Sequence, residues 1–191
     1  TDMGTGCDTI LAQMAAECLD CDVDNIITQS VDTDASPYDT GSYASATTYV
    51  TGMAVVKTCE ELKKQILREA AVLLDVEEEH ITFDGSMLRA VEDDKEITLA
   101  EFANRCFAGG KGACLIASAS HCSPTSPPPF MAGIAEGDVD KLTGEITLVD
   151  YAAVVDCGTV INPNLARIQT EGGIAQGIGM ALYEDITYSC K

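Results

Sequence analysis

Four glycines fall within eight residues near the end of this 191-residue chain, at Gly172, Gly173, Gly177 and Gly179. The segment that holds them reads as a helix. Asn162-Pro163 offers an N-cap followed by proline at the first helical position, where its missing N–H costs nothing. From there the helix would run to about Tyr183. Glycine is about 1 kcal/mol worse than alanine in a helix interior, so four of them cost roughly 3–4 kcal/mol. Something must use the bare surface: either another backbone packs very closely, or a bulky ligand does. Gln176, carrying donors and an acceptor among the glycines, favours the ligand. A membrane-embedded helix pair is excluded, because the apolar run is short and interrupted by Gln176.

The rest of the chain alternates helical and extended patterns without a regular βα repeat. Ile10, Leu11, Met14, Ala15, Cys18 and Leu19 mark a helix, and Asp20 to Asn25 break it. Ile26 to Val31 read as a strand, and Asp32 to Ser45 as a loop. Val55, Cys59, Leu62, Ile66, Ala70 and Leu73 are spaced by three and four, which predicts one long amphipathic helix starting near Ala44. Residues 80–91 read as a hairpin around Asp84-Gly85. Thr98-Leu99-Ala100-Glu101 is a capping box that opens a short helix with Leu99, Phe102 and Cys106 inward. Residues 113–120 read as a strand, and four prolines follow between Ser123 and Pro129. Phe130 to Val155 form a long hairpin turning at Leu142-Thr143-Gly144. These elements predict an α+β fold: a mixed sheet, the long amphipathic helix and the glycine-rich C-terminal helix. Residues 1–191 are taken as a single piece, with no internal linker placed.

Charge removes whole classes of partner. The chain has 31 acidic and 11 basic residues, a formal net charge of −20. No basic stripe is present for a phosphate backbone or an anionic membrane, so nucleic acid and membrane are both excluded as partners. No apolar run reaches the ~20 residues of a bilayer span. The nine cysteines are odd in number, and several lie in apolar periodic segments, which points to reduced thiols and a cytoplasmic protein. No signal peptide is visible. The chain starts at Thr1 and enters a glycine motif at once, so it reads as a piece of a longer polypeptide.

Several motifs are weaker than they look. Cys18 and Cys21 form a CxxC with no second pair to complete a zinc or iron–sulfur site, so a structural role outweighs a redox one. His121 neighbours Cys122, but adjacent strand residues face opposite ways, and an ordinary structural role suits both His80 and His121. Gly4-Thr5-Gly6 opens like a dinucleotide fingerprint, yet Thr9 stands where its third glycine belongs and no strand precedes it. Two glycines before a helix do leave backbone N–H groups for an anion, or simply make a helix-entry turn.

Read together, three stretches carry a resemblance. The first is Asp2-Met3-Gly4-Thr5-Gly6-Cys7-Asp8-Thr9 and its helix to Gln13. The second runs from Asp32-Thr33-Asp34 through Pro37-Tyr38-Asp39-Thr40-Gly41-Ser42-Tyr43-Ala44-Ser45. The third runs from Asp156-Cys157-Gly158 through Ile161-Asn162-Pro163 to Glu171-Gly172-Gly173-Ile174-Ala175-Gln176-Gly177-Ile178-Gly179. In this order they resemble the molybdopterin-binding subunit of the xanthine dehydrogenase and aldehyde oxidase family, over nearly the whole chain.

The resemblance implies a molybdopterin cofactor with molybdenum, often a cytosine dinucleotide in bacteria. It implies a molybdenum hydroxylase that takes its oxygen from water and sends electrons through iron–sulfur clusters to FAD on other segments or subunits. By the same resemblance, Gly4, Thr5 and Gly6 contact the pterin or its phosphate. Ser42, Tyr43, Ala44, Ser45 and Thr47 wrap the cofactor, with the Ala44 backbone nearest molybdenum but not a direct ligand. Gln176 matches a cofactor-contacting glutamine. Thr5 departs from a common glutamine, and Ala46 from a common arginine. The family's catalytic glutamate lies beyond Lys191, and Glu184 is not that residue, so the chain alone is expected to be inactive. The partners implied are the remainder of the molybdopterin subunit, the iron–sulfur and flavin subunits or domains, and a small-molecule substrate. Purine, nicotinate, aldehyde and aryl-thioester hydroxylases share these loops, which leaves the substrate open. The rival reading is a non-catalytic acidic α+β scaffold whose glycine helix packs on a partner.

Overall fold

The computed structural model describes residues 2–30, 32–109 and 114–189. By internal contacts the chain divides into two units, Thr1–Pro124 and Thr125–Lys191. The division falls inside the proline-rich run, where the sequence reading placed no linker.

The first unit is organised on one long helix. Helix α1 (Cys7–Leu19) is followed by a 3₁₀ turn (Val23–Asn25) and by α2 (Thr47–Leu74). After a second 3₁₀ turn (Glu78–His80) come strands β1 (Ile81–Phe83), β2 (Met87–Ala90) and β3 (Glu96–Thr98), then α3 (Leu99–Ala108). The strands form an antiparallel sheet in the order β1-β2-β3, with Phe83 opposite Leu88 and Leu88 opposite Ile97. The C-terminal half of α2 buries Ile66, Ala70, Ala71 and Leu74 against Ile81, Leu88, Ala90, Ile97 and Phe102. Leu88 is fully buried at the centre. The apolar spacing read in the sequence therefore does make one long amphipathic helix. It begins at Thr47 and not near Ala44, because Ala44 and Ser45 take the left-handed conformation, at φ 53° and 55°.

The N-terminal half of α2 receives α1. The side chain of Met14 sits where a β-carbon on Gly52 would be, 2.7 Å from its Cε. One helical stretch later, Lys63 Nζ reaches Asp20 Oδ2 at 2.7 Å. These pairs run in the same order along both helices, so α1 and α2 lie parallel and start at the same end. Asp20 is the left-handed C-cap of α1. The β1–β2 turn presses on it: a β-carbon on Gly85, whose φ is +81°, would fall 1.9 Å from the Asp20 carbonyl oxygen. Asp84 holds that turn by accepting from the N–H groups of Ser86 and Met87 and pairing with Arg89.

The second unit is a hairpin and a helix. Strands β4 (Phe130–Val139) and β5 (Ile146–Asp156) pair antiparallel, with a register shift at Glu136/Gly137. Helix α4 (Pro163–Leu182) follows, its Asn162 side chain accepting from the Leu165 N–H at 3.1 Å.

The α+β class stands. Its strands pair antiparallel in two separate sheets where the sequence reading expected a mixed one, because short turns join the neighbours and parallel pairing needs a long crossover. Two expected strands do not form. Residues 26–30 carry no ladder, and Val31 lies outside the described residues. Residues 114–120 form no strand ladder among the described residues, and Gln65 Nε2 donates to the Ile116 carbonyl. Residue 113 of that expected strand lies outside the described residues. The capping box is half made: Thr98 accepts from the Glu101 N–H, but the Glu101 carboxylate turns to Arg105.

The Gly85 corner sets a test. Gly85→Ala adds a left-handed alanine, about 1–2 kcal/mol, and an overlap with backbone that cannot move aside, about 1–3 kcal/mol. Gly144→Ala shares the left-handed backbone but meets open space, so only the first cost applies. Urea unfolding should show Gly85→Ala as clearly the more damaging of the two. Equal losses would mean that the turn does not press on Asp20.

Candidate functional site

The two N-terminal groups of candidate residues precede the starts of α1 and α2, at one end of that helix pair. Gly4, Thr5 and Gly6 form the turn into α1, with φ of 101° at Gly4 and 79° at Gly6. Only glycine adopts such values freely. The sequence left two readings for these amides, an external anion or a plain helix-entry turn. In the structure a side chain of the chain itself accepts from them. Asp2 Oδ1 accepts from the N–H of Gly4 at 2.8 Å and of Gly6 at 3.2 Å, while Oδ2 accepts from the N–H of Asp8 at 3.4 Å. The Gly4 N–H does most to hold the Asp2 carboxyl below its ordinary value, against an opposing cost of burial. Asp2 was missed in the sequence reading. Its signal was available: an aspartate two residues before a glycine commonly caps the backbone that follows.

Around this turn Cys7 is buried and Asp8 receives the Ser30 hydroxyl at 2.9 Å. Burial, and then the Asp2 charge, push the Cys7 thiol up. Asp2, Cys7 and Asp8 bring one ligand atom each within 4.8 Å of one another. The Asp2 carboxylate is already engaged by three amides.

The start of α2 is built differently. Ala46 provides no side-chain cap, and the first turn holds no acidic residue. A helix start of this kind presents oriented N–H groups and a partial positive charge. The loop before it carries Ser42, Tyr43, Ala44 and Ser45. Asp39 is held below the usual carboxylate range, chiefly by the Gly41 N–H. Ala44 and Ser45 then adopt consecutive left-handed conformations. For residues with a β-carbon this costs about 1–2 kcal/mol each. Strain of this kind gathers where a backbone must be shown in a particular way. Ser42, Ala44 and Ser45 thus lead into the helix start at Thr47.

Gln176 belongs to the second unit. It is exposed on α4, and no residue of α4 is buried. A β-carbon on Gly172, Gly173 or Gly177 would meet nothing within 4 Å. Gly179 differs, since the Glu184 carboxylate folds back to 2.6 Å from that position. The bare stripe is open surface, so no close packing within the described residues accounts for three of the four glycines.

The remaining motifs fall away from this site. Cys18 lies in the last turn of α1 and Cys21 just past its cap; both are near Cys59, whose thiol is pushed up by burial and then by those two neighbours. His80 Nδ1 lies 4.0 Å from Glu92. His121 Nδ1 is shielded from solvent without a partner among the described residues, and Cys122 is exposed.

A family model for the molybdopterin cofactor-binding domain matches residues 1–191. The chain belongs to this family. It is 32% identical, over its full length, to the xanthine dehydrogenase molybdenum-binding subunit of Escherichia coli O157:H7, of which it covers 26%. It is 28% identical over 98% of its length to the carbon monoxide dehydrogenase large chain of Hydrogenophaga pseudoflava, covering 24% of that chain. Among solved structures it matches the reconstituted CO dehydrogenase of Oligotropha carboxidovorans with a TM-score of 0.81, at 28% identity, over 99% of this chain and 24% of that one. Quinoline 2-oxidoreductase of Pseudomonas putida 86 matches with the same TM-score at 27% identity, over 99% of this chain and 25% of that one. The chain thus spans about a quarter of the length of these relatives. It is a molybdopterin cofactor-binding domain. No helix among the described residues is long and apolar enough to cross a membrane.

Asp2 generates a second test. A carboxylate with a depressed pKa stabilises fully above its unfolded value near pH 4, and that contribution is lost as pH falls through the folded value. Asp2→Ala should speed exchange of the Gly4, Gly6 and Asp8 amides at about pH 6, and the difference from the parent should shrink below about pH 4. Unchanged exchange at the higher pH would show that Asp2 is not their acceptor.

Proposed function

We propose that this chain holds the molybdopterin cofactor within a larger, xanthine dehydrogenase-like oxidoreductase of the cytoplasm. That enzyme hydroxylates a heterocycle or aldehyde with oxygen derived from water. The observation that carries the reading is the left-handed pair Ala44-Ser45 that leads into the start of α2. It is a strained, hydroxyl-bearing loop placed at a positive helix end in a strongly acidic chain.

The residues suit the group they would hold. Amides at the start of α2 and the hydroxyls of Ser42, Ser45 and Thr47 are neutral donors for an anionic cofactor, and they need no lysine. Ala44 would offer its backbone nearest the molybdenum without ligating it, and Tyr43 would flank it. The turn at Gly4, Thr5 and Gly6 would serve differently. Its glycine amides are committed to Asp2, so its role is to shape the cofactor's wall, with Thr5 as its polar side chain. Gln176 would add a side-chain amide, and Gly172, Gly173 and Gly177 would allow flat approach of the cofactor to the α4 backbone.

When bound, the molybdenum cofactor supplies the two-electron oxidation of the substrate carbon. This chain's residues bind and orient that group. The proton-transferring glutamate would lie beyond Lys191, and the iron–sulfur clusters and FAD on other segments or subunits. Residues 1–191 alone would therefore be inactive.

The test is Gly177→Val in the full-length subunit. Valine is a slightly better helix former than glycine, and among the described residues its β-carbon meets nothing within 4 Å. The expected outcome is a folded subunit with an unchanged thermal midpoint and strongly reduced molybdenum. Full molybdenum with a lowered midpoint would instead assign the glycine face to packing on a partner, which overpacking would weaken by about 1–3 kcal/mol.

A further inference from the structure

The second unit has no core. Every buried apolar residue of the described chain lies between Cys7 and Phe102. Two strands and one exposed helix cannot hold themselves in water, since even a two-stranded hairpin is marginal alone. The hairpin's side chains say how it is meant to be covered.

Its base and tip differ. Residues 130–135 and 151–155 contain no charged side chain, whereas 136–150 contain six. Successive residues of a strand face opposite ways. With Ala132 opposite Val154 and Ile134 opposite Ala152, one face of the base presents Phe130, Ile134 and Val154, which are 67%, 76% and 76% exposed. Met131 lies opposite Val155 and Ala135 opposite Tyr151, so the other face is apolar too. Tyr151 lies across Gly133, where a β-carbon would come 2.4 Å from its hydroxyl. Strands apolar on both faces are made to lie between two layers. Beyond the register shift the pattern changes. Val139 and Ile146 share one face, while Asp138 and Thr147 share the other. The tip is therefore suited to cover on one face only.

We propose that residues 130–135 and 151–155 are interior strands of a larger sheet, completed on both edges and both faces by the remainder of the molybdopterin-binding subunit. The polar face of the tip stays in solvent. The inference rests on the reading of this chain as part of such a subunit, and relatives that match 98% or more of the chain carry roughly three quarters of their length beyond it. A second copy of the chain does not fit this need. One symmetric contact covers one edge or one face and leaves the others open, and a copy brings a further net charge of −20.

The experiment uses the full-length subunit with its cofactor. In hydrogen exchange, peptides 130–135 and 151–155 should be at least 100-fold slower than peptide 138–147. Val154→Lys and Val155→Lys, on opposite faces, should each cut soluble subunit at least fivefold, whereas Thr147→Lys should leave it within twofold. Base peptides that exchange as fast as the tip would overturn the proposal, whatever the variants do. So would tolerance of either base lysine, or protection that vanishes on dilution as a dimer's would. Molybdenum content of the same preparation keeps the two readings apart. Bound molybdenum with an unprotected base sinks the sheet alone, and a protected base without molybdenum sinks the cofactor reading alone.

Discussion

The first unit depends on the apolar stripe of α2. One helix of 28 residues serves two layers: α1 covers its first half, and the three-stranded sheet with α3 covers its second. Hydrophobic burial is roughly proportional to area removed from water, and a stripe continuous over so many turns gives both layers the same backbone to align on. The small residue at Gly52 lets Met14 come close, and Ala70 and Ala71 let the sheet do the same. The Asp20 corner then ties the layers together, since Lys63 and the Gly85 turn both meet it. Lys63 also lies over the Phe83 ring at 5.9 Å, so one side chain touches α1, α2 and β1.

Parallel packing of α1 and α2 has a consequence for chemistry. It brings two positive helix ends to one side of the unit, where like poles disfavour each other unless something negative lies between or upon them. The chain answers at one end with its own carboxylate, Asp2. At the other end the first turn of α2 holds no acidic residue, and a strained loop precedes it. A chain of net charge −20 can therefore present a local positive field without concentrating basic residues. Backbone dipoles fixed by the fold do what lysines do elsewhere.

The second unit obeys another logic. Its hairpin and α4 are regular in backbone yet bury nothing among the described residues. Regular hydrogen bonding and sound caps, such as Asn162 on α4, specify local shape. They do not supply the area that offsets the entropy of ordering a chain. Unit one carries its own stabilising core, whereas unit two is shaped to receive surfaces from outside.

Local signals were legible in the sequence wherever the deciding physics is local. The three-and-four spacing from Val55 to Leu73, the cap at Thr98, the proline entry at Asn162-Pro163 and the turns at Asp84-Gly85 and Leu142-Thr143-Gly144 each depend on residues a few positions apart. The glycine helix and the loop at Ser42–Thr47 were visible for the same reason, as composition that a helix or a plain loop would not otherwise choose. Strand pairing was less legible. Ile26 and Leu115 sit in patterns that suit a strand, but a ladder needs a neighbour, and spacing does not reveal one. The delay of α2 to Thr47 rests on two left-handed residues that carry no glycine to announce them. Most of all, tertiary structure decided which helix start stays open. Asp2 reaches three amides because the turn folds back over it, and only the folded geometry shows that the amides at Gly4 and Gly6 are taken while the N-cap residue of α2, Ala46, provides no side-chain cap.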